Sequence, residues 1–246
     1  MQRLVEAALF GADDLADELL LAFQLWIGVL HPGDHGVGEG GEEGAFDAEI
    51  VPLEVPQRKG DPILFNRDED PAAIDFEKLP KLRPAFGQDG TVTAANASNL
   101  NDGAAALAVM SRSRADELGI APLARIVGQA SGAHAPEWFT TAPAKAINKV
   151  LDKCGLTVAD IDLFEINEAF AVVALAAIDE LSLDPEKVNV HGGAVALGHP
   201  IGASGARILV TLLSAMQQRD ARRGLAAICI GGGEAAAVIV ERIQAS

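Results

Sequence analysis

Apolar positions along the chain fall into two rhythms. Leu209, Leu212, Leu213 and Met216 recur at helical spacing, so the segment after "GHPIGASG" predicts a helix with one apolar face. Gly224 closes that pattern, with Arg222 and Arg223 in its last turn. "TAPAKAINKVLDKCG" predicts a second helix: Thr141 as cap, Pro143 in the first turn, Gly155 at the end. "EAFAVVALAAIDELSL" is apolar enough to predict a helix buried nearly all round. Between the helices, "LARIVGQASGA", "DLFEIN", "KVNVHGG", "LAAICIGGG" and "AAAVIVERI" read as strands. From Thr91, "TVTAANASNLNDGAAALAVMS" reads as a strand, a polar loop and a buried helix or strand. The order β-α-β-α-β-α-β-β predicts an α/β fold, a layered sheet with helices on its faces. "LAAICI" shows no polar alternation, which fits a sheet covered on both sides.

The first third of the chain has a different texture. Residues 1–30 read as helical and apolar, with acidic residues from "GADDLADELL". Residues 31–45, "HPGDHGVGEGGEEGA", lack apolar periodicity and read as loop or disorder. His31 and His35 have a helical ligand spacing, but the surrounding Pro and Gly forbid a helix, so a metal site is not expected. Residues 46–90 alternate short extended pieces with prolines, an irregular excursion.

Length and charge narrow the function. The 246 residues allow one large domain or two small ones. A net charge of −16 argues against nucleic acid, whose phosphates need a basic face. The longest near-apolar run, Leu19 to Leu30, falls short of the roughly 20 residues that span a bilayer. It lacks the flanks of a signal peptide, so no membrane is expected as a partner. The two cysteines, Cys154 and Cys229, form no disulfide framework or zinc spacing and fit a reducing cytoplasm.

Three loops that follow strands carry polar residues a plain connection does not need: "NEAF" at 167–170, "GHPIGASG" at 198–205 and "CIGGGE" at 229–234. In open α/β sheets, sites gather outside the carboxyl ends of strands. An amide, an imidazole and a thiol converging there suit acyl chemistry. Each loop alone also has a plainer reading. "GHPIGASG" can cradle an anion at a helix N-terminus, although it lacks the lysine and spacing of a P-loop. Cys229 can be a small core residue, as Cys154 is expected to be beside Ile147, Val150 and Leu151. Asn167 and Glu168 can be a helix cap and its first-turn carboxylate.

Taken together, "RPAFGQDGTVTAANASNLNDGAAA", "INEAFA", "NVHGGAVALGHPIGASGARILVTLL" and "CIGGGEAAAVIVE" closely resemble the thiolases, in the family's order and spacing, from about residue 45 onward. The resemblance implies ping-pong acyl transfer between acyl-CoA and CoA through an acyl-cysteine, in fatty-acid metabolism, with coenzyme A as substrate and no resident cofactor. It implies that His199 activates the nucleophilic thiol and lines an oxyanion hole, that Asn167 holds a water completing it, that Cys229 is the acid/base thiol, and that the Gly231 N–H faces a second oxyanion. Ser98, Ala94 and Phe86 match the pantetheine arm. Ala169 and Phe170 match the pocket wall, and Phe139 stands where short-chain members carry a methionine. Arg58, Lys59 and Arg67 are candidates for the nucleotide phosphates.

The family's nucleophile is a cysteine in the N-terminal half, and this sequence has none before Cys154. The resemblance therefore implies the C-terminal half of a thiolase-like layered fold, a mixed sheet with helices on its faces. Residues 1–44 would be a divergent segment, 45–121 a remnant of the N-terminal and loop region, and 122–246 the C-terminal domain. The expected partners are acyl-CoA and CoA, with a second copy or a chain supplying the missing half as a further candidate. Without the nucleophile the chain would bind rather than turn over.

Overall fold

A computed structural model of the chain describes residues 19–27, 44–68, 71 and 75–243. Its strands are β1 (Leu19–Ile27), β2 (Leu53–Val55), β3 (Ile63–Phe65), β4 (Ala104–Ser111), β5 (Ala124–Ala133), β6 (Leu163–Ile166), β7 (Arg223–Ile230) and β8 (Glu234–Arg242). Its helices are α1 (Arg112–Leu118), α2 (Ala142–Cys154), α3 (Ala171–Leu181), the single turn α4 (Ala194–Leu197) and α5 (Ser204–Gln218). Six strands form one mixed sheet in the order β4-β1-β5-β8-β7-β6, and β2 and β3 form a separate hairpin. Within the large sheet β6 and β7 run parallel, and the other neighbours are antiparallel.

Alternation along β7 sorts the core into two faces. Leu225 and Ala227 pack with Ile147 and Val150 of α2 and Val173 of α3. Ala226 packs on the other face with Ile208, Leu212 and Met216 of α5. The strand thus carries apolar residues on both sides, as a covered sheet requires.

Several expectations are corrected. Residues 19–27, read as helix, are strand β1, paired from Leu19↔Ser111 to Ile27↔Ala104 and touching β5 at Leu20↔Arg125. A short, continuous apolar run does not distinguish strand from helix by periodicity, and a strand edge to pair with decides it. The rest of the expected N-terminal helix, and His31 and His35, lie outside the described residues. Residues 91–93 are not a strand; the Thr93 N–H bonds the Asn96 side chain at 2.8 Å in a turn.

"KVNVHGG" is not a strand either. A 3-10 turn, Pro185–Lys187, leads to one bridge between Val188 and Phe164. Asn189 then takes φ 48° and its side-chain amide replaces a backbone partner, accepting from Ile166 N at 2.8 Å and donating to Ile166 O at 2.9 Å. Gly224 does not close α5, which ends at Gln218. It opens β7, where a Cβ would stand 2.5 Å from Met216 Sδ, so the glycine lets the strand pass under the helix. Thr141 does not cap α2. A 3-10 stretch runs straight into the helix, and the Thr141 hydroxyl donates to Trp138 O at 3.1 Å. Gly155 ends α2 at φ 63° as expected. Finally, α3 is not buried all round: Val173, Ala174 and Ala177 are buried, but Val172 and Leu175 are 47% and 60% exposed.

Candidate active site

The loop between α4 and α5 is pinned from both ends. Gly198, at φ 86°, passes so close to Asn101 that a side chain there would collide with it. The His199 N–H bonds both Asn99 O and Asn101 Oδ1 at 3.0 Å. Pro200 O accepts from Ala203 N at 2.7 Å and Ser204 N at 2.9 Å, which starts α5. The half-buried His199 ring is thereby held between two polar neighbours. Its Nδ1 lies 2.5 Å from Ser204 Oγ and its Nε2 lies 3.4 Å from Asn167 Nδ2. Asn167 is buried at the carboxyl end of β6, with its N–H on Ala227 O of β7 at 2.9 Å.

Beneath this pair lies a buried charge cluster. Arg207 Nη2 donates to Asn167 Oδ1 at 3.4 Å, and Nη1 is 3.7 Å from Glu165 Oε2. Glu49 accepts from Thr211 Oγ1 at 2.9 Å. Burial pushes Glu165 up to about 8 and Glu49 up to about 7, against the pull of Arg207. Burial, and then Arg207, hold His199 below its ordinary value, which favours the neutral ring. Burial also raises the Cys229 thiol.

Cys229 stands near the end of β7, opposite Ala235, and packs with Ala169 and Phe170 against the α2–α3 face. No hydrogen bond joins it to Asn167 or His199 among the described residues. Gly231 is exposed in the following turn, which is anchored where His134 N donates to Gly233 O at 2.7 Å.

The expected substrate-contacting residues gather around "NEAF". Both the N–H and the hydroxyl of Ser98 bond Ala169 O, at 3.2 and 3.0 Å, and Ala97 bridges to Phe170. Phe170 meets Phe86 and Phe139 edge-on, at centroid distances of 6.3 and 6.0 Å. Ala94 is exposed on the preceding turn. Arg58 and Lys59 are exposed in the turn between β2 and β3, and Arg67 is exposed just after β3. A separate cleft of about 760 Å³, lined by Ser131, Lys145, Lys149 and Glu234 among others, contains none of the expected site residues.

Sequence reading missed Ser204, Arg207, Asn101 and the task of Glu168. Glu168 caps no helix of its own, since α3 begins only at Ala171; it accepts from Val195 N in α4 at 3.1 Å and from Asn189 Nδ2 at 3.3 Å. A signal for the α5 residues existed. Ser204, Arg207, Thr211 and Ser214 are spaced three or four apart, a polar stripe in a helix whose other residues are mostly apolar, and all four are buried.

Residues 120–242 match the family model of the thiolase C-terminal domain, and residues 38–113 that of the thiolase N-terminal domain. The acetyl-CoA acetyltransferase of Allochromatium vinosum is 56% identical over 201 residues, which is 81% of this chain and 51% of the relative. That of Schizosaccharomyces pombe is 51% identical over 200 residues, again 81% of this chain and 51% of the relative. The crystal structure of the Bacillus anthracis acetyl-CoA acetyltransferase superposes with a TM-score of 0.78 at 48% identity, covering 82% of this chain and 51% of that one. Human mitochondrial 3-ketoacyl-CoA thiolase in complex with CoA gives 0.76 at 42% identity, covering 82% and 50%. The chain spans about half the length of the curated relatives it matches.

Proposed function

The chain belongs to the thiolase family, and from that premise we propose that it carries the acid/base and oxyanion side of a thiolase-type acyl transfer between acyl-CoA and CoA. The observation that supports this most is the Asn167–His199 pair, held at 3.4 Å where β6 ends, with Cys229 close to the end of the neighbouring β7. In thiolysis a thiolate attacks the 3-keto carbon of a 3-ketoacyl-CoA, and the bond between the α- and β-carbons then breaks. A neutral His199 takes the proton from the attacking thiol and, once protonated, donates to the thioester oxygen. Cys229, kept as a thiol by burial, gives its proton to the departing α-carbon. The water on Asn167 and the Gly231 N–H complete the two oxyanion sites. Coenzyme A is substrate, no resident cofactor takes part, and the chemistry belongs to fatty-acid metabolism. Two free thiols fit a reducing cytoplasm.

No cysteine precedes Cys154 in these residues, so the acyl-enzyme thiol has to come from elsewhere. This favours a second reading for the chain by itself: it binds CoA thioesters and turns them over only with a nucleophile-bearing chain.

Thiolysis of acetoacetyl-CoA by the purified chain, with calorimetric titration of CoA, tests both readings. We expect CoA binding without turnover. Turnover that disappears in both His199→Ala and Cys229→Ala would show that the site works without a separate nucleophile. Neither binding nor turnover would sink both readings for the chain alone.

A further inference from the structure

His199 is held at both ring nitrogens, and the partners determine which nitrogen carries the proton. Ser204 has one hydroxyl proton. Pro200 O, which can only accept and also takes the N–H groups of Ala203 and Ser204, lies 3.1 Å from Ser204 Oγ and is an acceptor for it. With the hydroxyl directed there, the same oxygen accepts from His199 Nδ1 at 2.5 Å. In that arrangement the ring proton sits on Nδ1 and the lone pair on Nε2. On that side Asn167 Nδ2 donates at 3.4 Å. The orientation of the Asn167 amide is fixed in turn by Arg207, whose guanidinium has donors only and faces Oδ1 at 3.4 Å. Turning the amide over would set its NH₂ against the guanidinium and its oxygen against Nε2.

Ser204 and Arg207 lie three residues apart on α5, so one helical turn presents both groups. Both are buried, Ser204 completely and Arg207 to 2% exposure, so solvent does not compete for these bonds. Ser204 sits in the first turn of α5, its backbone N–H on the same Pro200 O, which fixes where its Cβ stands relative to that carbonyl.

We propose that Ser204 and Arg207 are positioning residues that hold His199 in the Nδ1–H tautomer, with the lone pair on Nε2 facing Asn167. Their role in turnover rests on reading His199 as the base; the tautomer itself does not. The two serve it from opposite sides: Ser204 receives the ring proton directly, and Arg207 acts through Asn167. The tautomer is thus set by the hydrogen bond at the other nitrogen, where Nδ1 donates to a buried acceptor.

Long-range ¹H–¹⁵N correlation spectra of the uniformly labelled full chain test this without substrate, so a failure of the thiolase reading leaves the outcome legible. The resonances of His199 are identified as those lost in His199→Gln. The wild type is expected to show a protonated Nδ1 and an unprotonated Nε2. Ser204→Ala should move the ring toward the Nε2–H form, and Ser204→Thr, which keeps the hydroxyl, should restore the original pattern. Arg207→Met frees the Asn167 amide to turn and should shift the tautomer in the same direction as Ser204→Ala. An Nε2–H ring in the wild type overturns the proposal without reference to any variant. So does a folded Ser204→Ala protein whose His199 pattern is unchanged.

Discussion

The Arg207 guanidinium lies 3.7 Å from the Glu165 carboxyl, and both side chains are about 2% exposed. Proximity alone would keep such an acid ionised. Burial outweighs it: the carboxyl is pushed up to about 8, with Glu49 and Glu168 adding to the rise. Removing a carboxylate from water costs more than one neighbouring cation at this distance returns. The cluster therefore carries a proton at neutral pH that the unfolded chain would have released.

That proton makes stability depend on pH. Glu165 has a folded value of about 8 against an ordinary 4.5, so between these limits the folded state binds more protons than the unfolded one. Its contribution to stability falls as pH rises through that window, by at most about 1.4 kcal/mol per pH unit. Glu49 adds the same sign up to about pH 7. Glu165→Gln cannot ionise, so its stability relative to the wild type should rise with pH across the window. Urea unfolding of both proteins at several pH values measures the difference, and parallel curves would contradict this account.

Gly128 of β5 lies directly under Cys154 at the end of α2, and a Cβ there would overlap its sulfur. Gly128→Ala should cost about 1–3 kcal/mol, the range of an overpacked core. Cys154→Ala removes the obstructing atom, so the double variant should recover most of that loss. A double-mutant cycle by denaturant unfolding gives the coupling directly. Additive effects would mean that the strand shifts and the sulfur is not the obstacle.

Val172 and Leu175 place apolar surface on the outer side of α3. Replacing both with Gln should change unfolding free energy by no more than about 0.5 kcal/mol per site, as for other surface positions. Self-association, followed by sedimentation velocity at rising concentration, should fall. A large loss of stability instead would show that the side chains are packed in solution.

The sequence made α2 legible by a helical period closed at Gly155, and β7 and β8 by short apolar runs separated by the three glycines at 231–233. It concealed β1, because nine consecutive residues without strong polar alternation fit either a strand or a short helix until a pairing edge is known. The Asn189 turn was concealed for a different reason: a side chain supplies the hydrogen bonds that a strand's backbone would. For the site, loop chemistry pointed to Asn167 and His199, and the fold sets them 3.4 Å apart. Ser204 and Arg207 were passed over because an apolar stripe draws attention on a helix, and a polar one with the same spacing reads as the solvent side. Here that stripe faces inward, toward Glu49 and Glu165.

The antiparallel pairing of β1 with β4 bears on the order in which the sheet assembles. β7 and β8 meet across a tight turn, whereas Leu19 finds Ser111 only after a long stretch of chain has closed into a loop. Lengthening a loop adds little to its equilibrium entropy cost, since the penalty grows with the logarithm of its length. Its effect on folding rate is larger, because that closure precedes any reward from the contacts it permits. Loop closure alone therefore favours the β7–β8 ribbon first, with β1 the later link that joins the edge strand β4 to β5.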